Sequence, residues 1–479
     1  MRFGRVGTSV TEIQPSDREG PAAVPSPRRS ATVAGGLVLT AWLLITVSNT
    51  ASIGFLNPRT IPCLVLAAVI LVVAATTAGG APLRLAPGGA AVFALIAGAS
   101  VLFVPMYTYL PAGDFGWLTV AMAVGAGAFA GATVWTKPRL AWPLWAVGVL
   151  IVLGGLVAVV ALDPAPRIDV WVILQQSSSG LGHLQNFYAM QWTKSPGWQS
   201  LYPYLPVTTL VLAPFRWLIG DVRIGLLACV VVSALLLIRR GWARAHPVPL
   251  PPVLPFLLLF APGSIGLIEQ SWSEPVLLVF LVGAFAAVQR GRIAMAVVCL
   301  ALALATKQHA VTLIPLMAAW PRIGLRRTAV AVAGAIGICL PWLLANPHDF
   351  IEGAVVKHLT APARGDAPTL YTLATQHGWS PPSILPLGLL VLAVAFACWS
   401  VRRIPRTGHA CLLAALLLFT AALLNKQSFY NQYWLPAGLL IAALCLDAQQ
   451  SEQVLPASQS CQSGDIASNH SRPGSGSRP

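Results

Sequence analysis

Long apolar runs separated by short polar breaks organise the whole chain. They fall at about 31–50, 60–78, 88–110, 115–135, 141–162, 205–219, 222–238, 250–268, 274–289, 292–306, 309–320, 327–345, 382–400, 408–424 and 428–447. A run of about 15–20 residues spans the hydrocarbon layer at the helical rise per residue. Short alternating strands, the mark of a membrane barrel, are absent from the pattern. Every backbone polar group in a bilayer needs an internal partner, so helices are the spanning element. The pattern predicts an all-α fold, a polytopic transmembrane helical bundle over residues 31–447. It places disordered cytoplasmic tails at 1–30 and 448–479, where polar residues prevail.

Topology follows from the basic residues between runs. Arg239, Arg240 and Arg244, Lys137 with Arg139, Arg290 with Arg292, Arg322 with Arg326 and Arg327, and Arg402 with Arg403 and Arg406 form clusters expected on the cytoplasmic side. These assignments agree if one run does not cross. The candidate is 205–219, short and interrupted by Pro214 and Arg216. It is expected to be juxtamembrane or re-entrant, leaving about fourteen spanning helices with both termini inside. Two longer segments, Asp163 to Tyr204 and Asn346 to Pro381, then face outward. The short loops Glu269–Glu274, Lys307–His309 and Asn425–Gln432 join them.

Composition agrees with this reading. Of 479 residues, 56% are hydrophobic and only 9% charged, whereas a soluble domain carries about 25% charged residues. The net charge of +15 would suit nucleic acid, but the arginines sit between apolar runs, so it reflects membrane topology and no nucleic-acid partner is expected. Seven of the eight cysteines lie in apolar runs without CxxC spacing, which indicates neither zinc nor a disulfide framework. No Asp or Glu interrupts the middle of an apolar run, which argues against an ion-coupled carrier.

The polar groups with chemical potential converge on the outward side. Asp169 begins the stretch DVWVILQQ just past a spanning run, and His183, Asn186 and Tyr188 follow. A carboxylate at the membrane boundary can take a proton from a hydroxyl nucleophile; the plainer alternative pairs it with Arg167. Tyr202 and Tyr204, with Pro203 and Pro206, form an aromatic elbow, either an interfacial anchor or a wall for a sugar or lipid head. Thr306-Lys307-Gln308-His309 and Asn425-Lys426-Gln427 place two Lys-Gln pairs on this side. Each ammonium can meet a lipid phosphate as a point charge or simply snorkel. Asn431 and Tyr433 stand beside the second pair. Glu269, Gln270 and Glu274 are candidates for sugar hydroxyls. No Walker loop, dinucleotide fingerprint, HExxH, GxSxG or D-x-D pattern occurs.

The order of these motifs, over roughly residues 160–440, resembles the GT-C superfamily of integral membrane glycosyltransferases. It is most similar to glycosyltransferase family 87, the polyprenol-phosphate-sugar-dependent mannosyl- and arabinofuranosyltransferases of bacterial envelopes. The matching positions are Asp169; His183, Asn186 and Tyr188; Tyr202 to Pro206; Thr306, Lys307, Gln308 and Pro315; and Asn425 to Pro436. The chain departs from the family at Phe187, where proline is common, and at Tyr204-Leu205, which separate the elbow's two prolines. The resemblance implies a GT-C-like membrane domain and an outward-facing active site in the cell membrane. It implies transfer of a sugar from a polyprenyl-phosphate donor to a glycan or glycolipid acceptor, with inversion. Asp169 would be the general base, and Lys307 and Lys426, with His309, would stabilise the departing phosphate. Gln308, Gln427, Asn431, Tyr202, Tyr204, Asn186, Tyr188 and Glu274 would line the substrates. Cationic side chains can suffice for a phosphate leaving group, so neither a cofactor nor an obligatory metal is expected. The alternative is a transporter or flippase for lipid-linked sugars. The first four runs lie outside the resemblance.

Overall fold

A computed structural model of the chain describes residues 27–77, 80–85, 88–103, 107–134, 138–238 and 253–453. Among them the fold is helical throughout, with one isolated antiparallel bridge between Gln191 and Ser200. The helices are α1 Pro27–Ala51, α2 Thr60–Thr77, α3 Gly89–Phe103, α4 Ala112–Val134, α5 Pro138–Leu162, α6 Asp169–Gly182, α7 Pro206–Leu218 and α8 Val222–Leu236. Next come α9 Val253–Phe256, α10 Ser264–Glu269, α11 Glu274–Gln289, α12 Ile293–Leu304, α13 Ile314–Ala319 and α14 Gly324–Ala345. The last are α15 Pro347–Ile351, α16 Lys357–Thr360, α17 Leu370–Gln376, α18 Ile384–Arg403, α19 Thr407–Leu424 and α20 Tyr430–Gln453.

Seven of the described helices are long and apolar enough to cross a bilayer, and α7 with α8 adds an eighth if the bent pair counts as one span. The protein is an all-helical membrane protein. Four apolar helical stretches are shorter: Gly89–Leu102, Glu274–Gln289, Ile293–Leu304 and Gln308–Ala319. Burial sorts the long helices. Only 17% of the apolar window of α14 and of α18 is buried, against 83% of that of α19. Val330, Ile336, Leu387 and Leu392 are exposed on α14 and α18, as lipid-facing side chains would be. α19 forms the centre of the bundle, with its partner α20 across it.

The run at 205–219 ends in a break. α7 meets α8 at 116°, so the two do not continue as one straight helix. Pro214 lies inside α7, Gly220 takes a left-handed φ of 93° at the corner, and Asp221 caps α8 by accepting the Arg223 N–H at 2.8 Å. The run at 250–268 departs from expectation. Among its described residues it is two short helices, α9 and α10, joined by turns. Gly263 at φ 90° breaks it, and Tyr430 donates to the Pro262 carbonyl there. A side chain on Gly263 would meet the Tyr430 ring at 2.1 Å, so the break is also a packing site. The tail boundaries shift too, because α1 starts at Pro27 and α20 runs to Gln453; the rest of both tails lies outside the described residues.

The arginine clusters at 290–292, 322–327 and 402–406, which the sequence assigns to one side, share one end of the bundle. Arg290 donates to the Leu236 carbonyl at 2.5 Å, Gln449 to Leu237 at 2.7 Å, and Trp320 to Pro405 at 3.1 Å. Arg406 pairs with Asp447 at 2.8 Å. Arg239, Arg240, Arg244 and Lys137 lie outside the described residues. At the opposite end the polar loops meet. Leu56 N–H donates to Asp366 O at 2.7 Å, Gln270 to Tyr107 O at 3.1 Å, Leu205 N–H to Thr306 O at 3.2 Å, and Arg364 N–H to Lys426 O at 3.2 Å.

Candidate functional site

At that second end α5 stops at Leu162, a short bent linker follows, and α6 begins at Asp169. Asp169 is the first helical residue, where the dipole favours a negative charge, and its Oδ1 accepts the Val170 N–H at 2.8 Å. The loop after α6 folds back over this carboxylate, and Gly197 comes so close that a Cβ there would stand 2.4 Å from Asp169 Oδ2. That loop holds Leu184, Lys194 and Leu201 at positive φ, from 58° to 68°. Such conformations cost about 1–3 kcal/mol each in a non-glycine residue and persist where surrounding structure imposes them.

Asp169 lines a cavity of about 320 Å3. Three further polar side chains face it: Gln270, Arg364 and Asn431. Its other walls are largely aromatic, with Phe55, Tyr107, Tyr109 and Trp272, and include Ile53, Ile168 and Val170. Phe55 stands edge-on to both Tyr107 and Phe429, and Trp272 edge-on to Tyr430. A carboxylate, two carboxamides, a guanidinium and aromatic faces around a space of this size suit a sugar with a charged substituent. Burial raises the pKa of the Tyr109 hydroxyl, and the nearby carboxylates of Glu269 and Asp169 reinforce the shift.

Behind this wall lies a buried polar relay. Lys307 Nζ is 2.5 Å from Glu274 Oε1, and Asn431 Nδ2 donates to the same oxygen at 2.8 Å. The Lys307 ammonium also sits 5.4 Å from the centre of the Tyr204 ring. Tyr204 is buried, which raises its pKa well above the ordinary phenol value; the carboxylates of Asp169 and Glu274 push the same way. Tyr204 therefore stands among Asp169, Glu274 and Lys307. Through Asn431, the relay reaches the cavity wall.

The elbow is fixed by its neighbours. Tyr188 OH donates to the Tyr204 carbonyl at 2.8 Å, and Tyr202 OH lies 2.6 Å from Thr209 Oγ1. Asn186 Oδ1 accepts the Tyr188 N–H at 3.1 Å. Gln308 Nε2 donates to Pro203 O at 2.9 Å and to Ala354 O at 2.8 Å. His358 Nε2 lies 2.8 Å from Pro203 O; a carbonyl only accepts, so this nitrogen carries a proton. The Ala354 contact falls in a π-helical turn, Glu352–Val356, between α15 and α16. Gly353 of that turn lies against the Tyr202 backbone, where a Cβ would meet the carbonyl at 2.6 Å.

The structure thus brings Asp169, Asn431, Glu274, Lys307 and Tyr204 together. Asn186, Tyr188, Tyr202 and Gln308 hold the elbow, each through a side-chain polar atom bonded to the protein. His309 is half-buried just past Lys307, its Nε2 shielded and with no partner among the described residues. Lys426 lies among the polar loops but does not line this cavity: its Nζ donates to Leu359 O at 2.9 Å, and Gln427 donates to Pro362 O. This pair ties the late motif to the second long segment instead of lining the cavity. His183 lies exposed at the far end of α6, its Nδ1 2.9 Å from Ser179 O.

Sequence reasoning missed Arg364 and the two tyrosines before α4. Arg364 pairs with Asp366 through two contacts, 3.0 and 2.6 Å, and its guanidinium lies 4.6 Å from the Phe429 ring centre. It is the sole arginine of the 346–381 segment, and that was the available signal. Tyr107 and Tyr109 end the third apolar run, and a cluster of aromatic residues at a span boundary was their only mark. The Arg364 loop is tied to α17, since Thr372 Oγ1 donates to Arg364 O at 3.1 Å. α17 borders an apolar groove of about 340 Å3, with Leu373, Trp379, Leu385 and Leu389 in its walls. Among the described residues no group of three or more His, Cys, Asp or Glu could hold a metal ion. Comparison with protein-family models, with curated proteins and with solved structures finds no match.

Proposed function

We propose that the protein is a membrane glycosyltransferase that moves a sugar of the mannose or arabinofuranose class from a polyprenyl-phosphate donor to an envelope glycan or glycolipid. The observation that carries this reading is the Asp169 carboxylate on the wall of a sugar-sized cavity, opposite carboxamides, a guanidinium and aromatic faces. In this reading the chain crosses the membrane many times. Both termini are cytoplasmic, and the cavity opens on the outer face.

Asp169 takes the proton of an acceptor hydroxyl as its oxygen attacks the anomeric carbon. The bond between that carbon and the phosphate oxygen breaks, the electron pair leaves with the polyprenyl phosphate, and the anomeric centre inverts. Charge grows on the phosphate in the transition state, where fixed cations stabilise it most. Arg364, held by Asp366, is the guanidinium on the cavity wall that can donate to the phosphate, and Lys307 acts from behind the wall through the Tyr204 and Asn431 contacts. Gln270 and Asn431 offer both donors and acceptors to sugar hydroxyls. The apolar groove beside α17 suits the isoprenoid chain of the donor.

The test is transfer of radiolabelled sugar from synthetic polyprenyl-phosphate-mannose and polyprenyl-phosphate-arabinofuranose donors, in membranes with and without the protein. A labelled glycan or glycolipid that depends on the protein supports the reading. Protein-dependent passage of intact donor across vesicle bilayers, with no transfer from either donor, would move the assignment to a flippase.

A further inference from the structure

A second cavity lies along α6, away from the Asp169 cavity, and shares none of its lining residues. Its volume is about 450 Å3. It runs from Val160, inside the apolar helix α5, to Pro164 just beyond that helix's end, so it straddles the level at which α5 leaves the hydrocarbon. The polar wall is Gln175, Gln176 and Ser179 of α6, facing Arg216 of α7 and the Gly220-Asp221 corner.

The walls are braced. Arg216 Nε donates to Ser179 Oγ at 2.8 Å and Nη1 to Gly220 O at 2.5 Å, which leaves Nη2 without a partner among the described residues. Gln175, itself buried, bridges Gly220 O at 3.2 Å and the Val222 N–H at 3.1 Å. Asp221 is the one carboxylate in the lining, and fully buried Arg223 holds it with contacts of 3.0 and 2.7 Å. That pair is neutral overall, so Arg216 sets the sign of the cavity. Directly beside Arg216 the chain exposes three large apolar side chains in a row: Trp217 at 52%, Leu218 at 85% and Ile219 at 58%. A polar pocket with one net positive charge, next to an apolar shelf at a helix–membrane boundary, has the two-part chemistry of a lipid.

We propose that this cavity binds the phosphate head of a bilayer glycerophospholipid, with Arg216 contacting the phosphate and the acyl chains lying on Trp217–Ile219. The site lies outside the cavity assigned to sugar transfer, and lipid binding there does not depend on that assignment. A free phosphate could satisfy Arg216 but would gain nothing from the shelf, and this separates the two sources.

The experiment uses the full-length protein in detergent and native mass spectrometry after incubation with phosphatidylglycerol, with inorganic phosphate as competitor. The wild type should retain bound lipid. Arg216→Gln removes a charge-assisted contact and should lower retention about tenfold. Leu218→Ser changes an exposed residue that makes no hydrogen bond through its side chain, so it preserves folding, and it should also weaken retention. Inorganic phosphate at the lipid's concentration should not displace the lipid. Retention unchanged in both variants, no retention by the wild type, or full displacement by inorganic phosphate would each overturn the proposal.

Discussion

The Asp169 carboxylate and Gly197 are in direct contact: a Cβ on Gly197 would stand 2.4 Å from Asp169 Oδ2. Asp169 heads a rigid helix, so an added methyl displaces the carboxylate or the loop that covers it. A displacement of about 1 Å can cost roughly a hundredfold in rate. Gly197→Ala should therefore lower sugar transfer by about ten- to a hundredfold and leave the melting temperature nearly unchanged, measured by the radiolabel assay and by thermal unfolding in detergent.

The Lys307–Glu274 pair is buried at 2.5 Å. Removing one partner strands the other charge, at a cost of about 3–5 kcal/mol, whereas replacing both with apolar residues is often near neutral. Lys307→Met and Glu274→Leu should each lower thermal stability markedly, and the double variant should recover most of the loss. Transfer should stay low in the double variant, because the positive charge behind Tyr204 is gone.

Tyr188 donates to the Tyr204 carbonyl at 2.8 Å and is buried. Tyr188→Phe leaves that carbonyl without this donor, and stability should fall by about 1–2 kcal/mol. The donor KM should stay within about twofold, because the role is to hold the elbow. A large KM change with intact stability would make Tyr188 a substrate contact.

His358 gives a pH dependence with a definite sign. Desolvation of its ring lowers its pKa below the ordinary histidine value; the contact with the Pro203 carbonyl opposes this, and the Lys307 charge adds to the shift. The unfolded chain therefore takes up a proton first as pH falls below about 6.5. His358 favours folding above that value, and its contribution is lost as the pH falls toward the folded-state pKa. His358→Gln can still donate to Pro203 O, and its melting temperature should fall less than the wild type's between pH 7 and pH 5. The difference between the two profiles isolates His358, since all other groups are shared.

What could be read from the chain, and what could not, divides along physical lines. The length of the apolar runs is a local property, and it identified the helical membrane class; it misplaced the break near 205–219, because α7 runs through Pro214 and Arg216 and the chain turns only at Gly220. The apolar runs put Asp169 just past the end of one and the loops carrying Glu274, Lys307 and Asn431 on one side; only the fold starts α6 at Asp169 and closes Lys307 and Asn431 onto Glu274. The run at 250–268 looked like a span because composition cannot register that Pro262 and Gly263 turn the chain to meet Tyr430. Lys426 and Lys307 looked alike in sequence, each beside a glutamine. They differ only in what folds against them: a backbone carbonyl for one, a buried carboxylate for the other. The contribution of the first helices was hidden for the same reason. Phe55 and Tyr107 join the cavity through contacts with residues far along the chain, Phe429 and Gln270.

The central claim is that Asp169 is the base in sugar transfer, and Asp169→Asn tests it most directly. The substitution keeps the side chain's size and removes its capacity to accept a proton at neutral pH. Transfer from polyprenyl-phosphate sugar should fall by about a hundredfold or more, with donor binding and melting temperature close to wild type. Full transfer by Asp169→Asn would contradict the account.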